Sequence, residues 1–393
     1  MRLVARLAAS ALPASLVLSL LPSGLAGCSF SGANGTIDGP QEKPDGGPDA
    51  KPDSGPDGPP LRGRRIALHI PAARVSAPLV DFPVYVRLTS ADLSARLDAS
   101  ATQLSFTGAG SNAGVLAHEI ESFNKATGEL AAWVRMNIDS NAETRFELRY
   151  GDDSVKAAPD LLGVWRNGHK AVFHFEQEPI NGVSTVVNSA TPSNPGTPTG
   201  MESNDFATGV LGKAYDFDGA NEEVAFENPI LGAGPSTISF WFRDTDLTPD
   251  FDEAIVVLGT AATSQARYIF NEINTNKLPL GLQGDDWTKP TVPPLAGWAL
   301  VHWVYDNQQS RLYVDGVEAT DSPFAHAAAA ATTGTEARIG NAPPGFPNNW
   351  GVRGSVDEVR ISDVVRSPAW INAELANQKE PSMFVIAGSA SDL

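Results

Sequence analysis

Beyond residue 61 the apolar positions recur with a period of two. Ile66, Leu68 and Ile70 alternate with Ala67 and His69, and Val84, Val86 and Leu88 with Tyr85 and Arg87. Phe146, Leu148 and Tyr150 alternate in the same way with Glu147 and Arg149. Such alternation predicts half-buried antiparallel strands. Gly, Pro, Asn and Asp break the runs at short intervals, as in sandwiches. The pattern predicts an all-β chain of two β-sandwich domains, a smaller one over 62–155 and a second over 170–390, with the boundary near Asp160. Asp315-Gly316 between two strand-like runs predicts a hairpin turn, because both residues of a type I′ turn need positive φ. Helical signals are few. Ser367-Pro368 reads as an N-cap followed by Pro at the first helical position, predicting a short helix to about Asn377. The alanines of 327–331 are too short a run and predict a loop or a single turn.

The first 61 residues follow other rules. Arg2 and Arg6 precede an apolar run over 7–21, of signal-peptide length and too short to span a bilayer. It ends in Leu25-Ala26-Gly27-Cys28, which resembles the lipobox of bacterial lipoproteins. The resemblance implies a signal peptide over 1–27, cleavage before Cys28, and acylation of the thiol and of the new amine. The implied partner is a lipid membrane, since several acyl chains together give stable anchoring. Cys28 is the only cysteine, which excludes intrachain disulfides, thiolate zinc sites and a cysteine nucleophile in the mature domains. Ser29 stands where Asp would, by resemblance to enterobacterial sorting, favour the inner membrane. The expected location is therefore extracytoplasmic, at the outer membrane or surface of a Gram-negative bacterium. In 28–61 prolines fall at 40, 44, 48, 52 and 56, and four of them precede Asp. Surrounded by Gly, Ser, Ala and Lys, they can bury nothing, so this segment reads as an extended or disordered tether.

Charge narrows the function classes. A formal net charge of −18 argues against nucleic-acid binding, which needs a basic footprint.

Two family resemblances follow from longer motifs. Asp81-Phe82-Pro83-Val84-Tyr85-Val86-Arg87-Leu88, His118-Glu119-Ile120-Glu121-Ser122-Phe123-Asn124, Ala132-Trp133-Val134 and Arg149-Tyr150-Gly151 occur in the order of the bacterial domain-of-unknown-function family 2341. That resemblance implies a sandwich of extracytoplasmic surface proteins with no known activity. The second block resembles the LamG-like, concanavalin A-like lectin/glucanase jelly roll. The matching stretches are Gly209-Val210-Leu211-Gly212-Lys213-Ala214-Tyr215-Asp216-Phe217-Asp218-Gly219, Thr237-Ile238-Ser239-Phe240-Trp241-Phe242-Arg243, Arg311-Leu312-Tyr313-Val314-Asp315-Gly316 and Gly354-Ser355-Val356-Asp357-Glu358-Val359.

Jelly-roll glycosidases of the laminarinase type carry Glu-x-Asp-x-(x)-Glu on one strand, where alternation aims the carboxylates into one cleft. That spacing is absent. Asp357 and Glu358 are adjacent and on a regular strand point to opposite faces. Glu119 and Glu121 share a face but lack a third member, and read as strand-surface charge. His174, between Phe173 and Phe175, reads as a structural residue. The chain is therefore expected not to be an enzyme. Asp357 shares a face with Val359 and Ile361, and a buried carboxylate needs a partner. Calcium would serve, with Glu176 and Asp218 as further ligands from early strands. Trp241, Trp287 and Trp350 are candidate stacking surfaces for a sugar. The leading expectation is a non-catalytic surface lipoprotein that binds a glycan or a protein partner. The alternatives are a structural envelope module and a divergent glycoside hydrolase or polysaccharide lyase.

Overall fold

A computed structural model describes residues 62–393 apart from 184, 220, 246–252, 273–276, 289 and 347–349. Cys28, the leader and the tether lie outside the described residues. The alternating runs form two β-sandwiches, so the all-β expectation holds.

The first sandwich faces a three-stranded sheet (Leu79–Thr89, Glu129–Ile138, His118–Asn124) against a five-stranded one. Ile66, Leu68, Val84, Val86, Phe106 and Leu148 meet between them. The outermost strand of the larger sheet comes from the far end of the chain. Ile386–Asp392 pairs antiparallel with Arg64–Ile70, with Arg64 opposite Asp392 and His69 opposite Ile386. Trp370, Ala373, Phe384 and Val385 are buried in the same core. The expected extent of the jelly roll, 170–390, is corrected accordingly: the chain returns to the first sandwich after Arg353–Ser362. An edge strand offers unpaired N–H and C=O groups to any strand that can reach it. Short apolar alternation carries no mark of which edge that will be.

The second sandwich packs a nine-stranded sheet on a seven-stranded one, around Phe173, Phe240, Trp303, Leu312 and Ile339. The predicted hairpin forms at Asp315 and Gly316, whose φ values are 47° and 73°. No helix covers 327–331, as expected of a loop. The strand Arg353–Ser362 runs through the middle of the larger sheet. Ser236–Asp244 lies along one side of it. On the other side the neighbour changes: Lys213–Asp218 accompanies its first half and His169–Phe173 its second. The gap between those two neighbours falls at Asp357 and Glu358.

The predicted helix forms over Pro368–Lys379, with the Ser367 side chain accepting the Trp370 N–H and Pro in the first turn. It rivets the sandwiches together. Trp370 and Ala373 enter the first core. On the other face Gln378 accepts the indole N–H of Trp241, and Glu374 accepts from Arg360 at 2.9 Å. Asn377 satisfies both backbone groups of Tyr85, at 2.7 and 2.9 Å.

Candidate functional site

Three backbone irregularities face one another where the sandwiches meet. The strand His118–Asn124 has one extra residue between Ile120 and Ser122 relative to Glu129–Ile138, and that residue is Glu121. The strand Arg353–Ser362 has one extra residue between Asp357 and Arg360 relative to Ser236–Asp244, and Glu358 there has φ of 53°. Next to His174, Phe175 has φ of 59°. Bulges bend a strand and re-aim its side chains. A left-handed backbone is uncommon for side chains of this size and persists only where the surroundings enforce it. Together the three bring Glu121, His174 and Glu358 so close that one potential ligand atom from each lies within 4.8 Å of the others.

His174 is the hub. Its Nδ1 lies 2.6 Å from Glu358 Oε1 and 3.8 Å from Glu121 Oε2, and its Nε2 lies 3.6 Å from Glu119 Oε2. Its ring stacks on Trp133 at 5.7 Å and tilts against Trp165 at 5.4 Å. Every carboxylate around it is held from behind. Glu119 accepts from Trp165 Nε1 at 2.6 Å and from Ser189 Oγ at 2.7 Å. Glu121 accepts from Trp133 Nε1 and from the Tyr85 hydroxyl. Glu358 accepts from Arg360 Nη2 at 2.6 Å, and that guanidinium lies over the Trp133 ring.

Burial and charge split the protonation states. Burial, reinforced by the Glu358 charge, pushes the Glu121 carboxyl up to about 8. Its side chain is enclosed although its backbone is open to solvent. Burial also works against ionisation of Glu358, but His174 and Arg360 outweigh it and hold this carboxyl below the usual range. Glu119 is likewise held low against burial, first by the His174 charge. Burial would keep His174 neutral, yet Glu358 and Glu119 raise it well above the ordinary histidine range. Burial and then Glu358 raise Asp357.

The calcium trio does not assemble. Asp357 Oδ2 accepts the N–H groups of Val210 and Leu211, at 2.8 and 3.0 Å, and Glu176 Oε1 accepts that of Lys213 at 2.7 Å. Gly209 and Gly212 permit this approach, since a Cβ at either would collide with the carboxylate it faces. Asp218 is exposed and pairs opposite Arg353, away from both. Calcium takes six to eight oxygens, and Asp357, Glu176 and Asp218 do not come together to supply them. Asp357 nevertheless keeps Oδ1 buried with no hydrogen-bond partner.

A cleft of about 440 Å³ opens onto this cluster. Glu119, Glu121, His174 and Ser189 line its floor, and Phe123, Pro159, Leu161 and Val187 its apolar walls. The three tryptophans expected to stack on a ligand do not line it. Trp241 is buried against Gln378. Trp287 is buried in the second core, its ring parallel to Phe324 at 5.9 Å. Trp350 packs half-buried on Phe270 and Phe346. Their large apolar faces stabilise more by covering core than by waiting for a ligand. Ser310, His326 and Asp285 line up with contacts of 2.7 and 3.5 Å, in the order of a nucleophilic triad. Ser310 is fully buried and its hydroxyl already accepts from Trp303, so no substrate reaches it.

The site residues that sequence reasoning missed are Glu119, Glu121, His174 and Glu358. Strand alternation hid them, because the bulges that gather them leave no mark in composition.

Residues 218–372 match the Laminin_G_3 family model, described as the concanavalin A-like lectin/glucanases superfamily. A search of curated proteins finds no match. Among solved structures, the chain is similar to domain 4 of AbnA, a GH43 extracellular arabinanase of Geobacillus stearothermophilus in complex with arabinotriose. Identity is 18%, the TM-score 0.38, and the match covers 53% of this chain and 98% of that one. It is also similar to the Trypanosoma rangeli sialidase bound to 2,3-difluorosialic acid, at 11% identity and TM-score 0.43, over 64% of this chain. The chain spans 43% of that sialidase. These likenesses concern the fold. The expectation that the chain is not an enzyme is corrected: the matched model describes a superfamily that joins lectins with glucanases.

Proposed function

We propose that this protein recognises a glycan in the cleft between its two sandwiches, held at the cell surface through an acylated Cys28. The cleft carries the reading. It has the size of a small-ligand site, with apolar walls for the faces of a pyranose and a carboxyl and hydroxyl floor for its hydroxyl groups. Five of its fourteen lining residues, from His174 to Ser189, come from the segment that precedes a domain whose family description names lectins and glucanases. Cleavage of the glycosidic bond in the same cleft is the second reading, favoured by that description.

The test is a glycan array probed with the full chain, followed by a reducing-sugar assay on every glycan retained. Saturable binding to a defined glycan supports the proposal, and turnover of that glycan would make the chain a glycosidase. Silence across the array contradicts it and favours a protein partner. The anchor is tested separately: Cys28→Ser should move the protein from the membrane fraction to the soluble one, and retention in the membrane would refute the anchoring.

A further inference from the structure

The cluster at the cleft floor is built like a metal centre. We infer that Glu121, His174 and Glu358 bind one divalent transition-metal ion, with Zn²⁺ the best match. Two carboxylates and one imidazole suit a borderline cation, whereas calcium wants an all-oxygen cage. The potential ligand atoms already lie within 4.8 Å of one another. His174 presents Nδ1 to both Glu358 and Glu121, and its 2.6 Å hydrogen bond to Glu358 would open by about half an ångström to admit an ion between them.

A second, independent observation concerns the layer behind the ligands. A metal-bound histidine usually turns its other ring nitrogen toward a carboxylate that fixes its orientation. His174 Nε2 is buried and makes no hydrogen bond within the described residues, yet it faces Glu119 at 3.6 Å. Glu119 in turn is clamped by Trp165 and Ser189. Glu121 is oriented by Tyr85 and Trp133, and Glu358 by Arg360. A carboxylate has about four acceptor positions, so these bonds leave room for a metal.

The charge balance points the same way. Glu119, Glu121, Glu176, Asp357 and Glu358 crowd around His174 and Arg360, with Lys213 acting on Glu176 and Arg87 on Glu121, and Arg360 is shared with Glu374. Buried charge without compensation is strongly destabilising. A divalent cation held here would be compensated by the carboxyl groups around it. With three protein ligands it keeps an open position, the arrangement of catalytic rather than structural zinc. Glu121 and His174 line the cleft, so that position faces it.

The inference stands apart from the glycan reading, because the metal alone is the probe. Titration calorimetry of the untagged full chain with Zn²⁺ should give one site per chain. Affinity should fall at least tenfold in Glu121→Gln and in Glu358→Gln, and about 10–100-fold in Glu119→Gln. Circular dichroism shows whether the variants are folded. Co²⁺ bound to the wild type gives an answer that needs no variant: NMR should show the His174 ring protons paramagnetically shifted. Absence of stoichiometric Zn²⁺ binding, undiminished affinity in folded Glu121→Gln or Glu358→Gln, or an unshifted His174 ring would each overturn the inference.

Discussion

His174 Nδ1 and Glu358 Oε1 lie 2.6 Å apart across 184 residues of chain, and both side chains are almost wholly buried. At this contact Glu358 takes a left-handed backbone, and so does Phe175, beside His174. Removing one partner of a buried ion pair leaves the other uncompensated, at a cost of about 3–5 kcal/mol. In metal-free protein, His174→Gln should lower the unfolding free energy by about 3 kcal/mol in urea titrations. A loss below about 1 kcal/mol would mean that the pair is already solvated.

This pair also marks where sequence reading stops. The alternating runs at 66–70, 84–88 and 146–150 became strands because one face of each is buried. Ser367-Pro368 became a helix start and Asp315-Gly316 a turn, because those signals are local. On a regular strand, adjacent Asp357 and Glu358 point to opposite faces. One extra residue in the register cancels that rule, and the extra residue is chosen by neighbours far away in sequence. Long-range pairing hid the edge strand Ile386–Asp392 for the same reason.

The tail strand makes the first sandwich depend on the last residues of the chain. Ending the chain after Arg366 removes Trp370 and Phe384 from the first core and uncovers the edge of Arg64–Ile70. Hydrogen exchange should then show loss of protection throughout Arg64–Ile70 and Thr144–Tyr150, while Glu253–Gly259 stays protected. Unchanged protection in the first sandwich would show that it folds without its tail.

Glu253 makes stability depend on pH. It is 2% exposed, with Oε1 unbonded and Oε2 accepting from Asn271 at 3.2 Å. Burial pushes its carboxyl up to about 7, against 4.5 when free. Between those values the folded chain holds more protons than the unfolded one, so stability falls as pH rises through this window and stays lower above it. Glu253→Gln removes the ionisation. It should stabilise by on the order of 2 kcal/mol at pH 8 and by close to nothing at pH 4. Thermal melts of both proteins at the two pH values check this, and an equal effect at both would contradict it.

The claim that the junction cleft is the ligand site is tested most directly by comparing two aromatic residues. Phe123 lines the cleft, and Trp350 lies in a separate cluster with Phe270 and Phe346. For a glycan identified on the array, the dissociation constant should be measured for wild type, Phe123→Ala and Trp350→Ala. The account predicts about tenfold weaker binding for Phe123→Ala, equivalent to about 1.4 kcal/mol, and no more than about twofold for Trp350→Ala. Full affinity in Phe123→Ala with loss in Trp350→Ala would place the ligand elsewhere and contradict it.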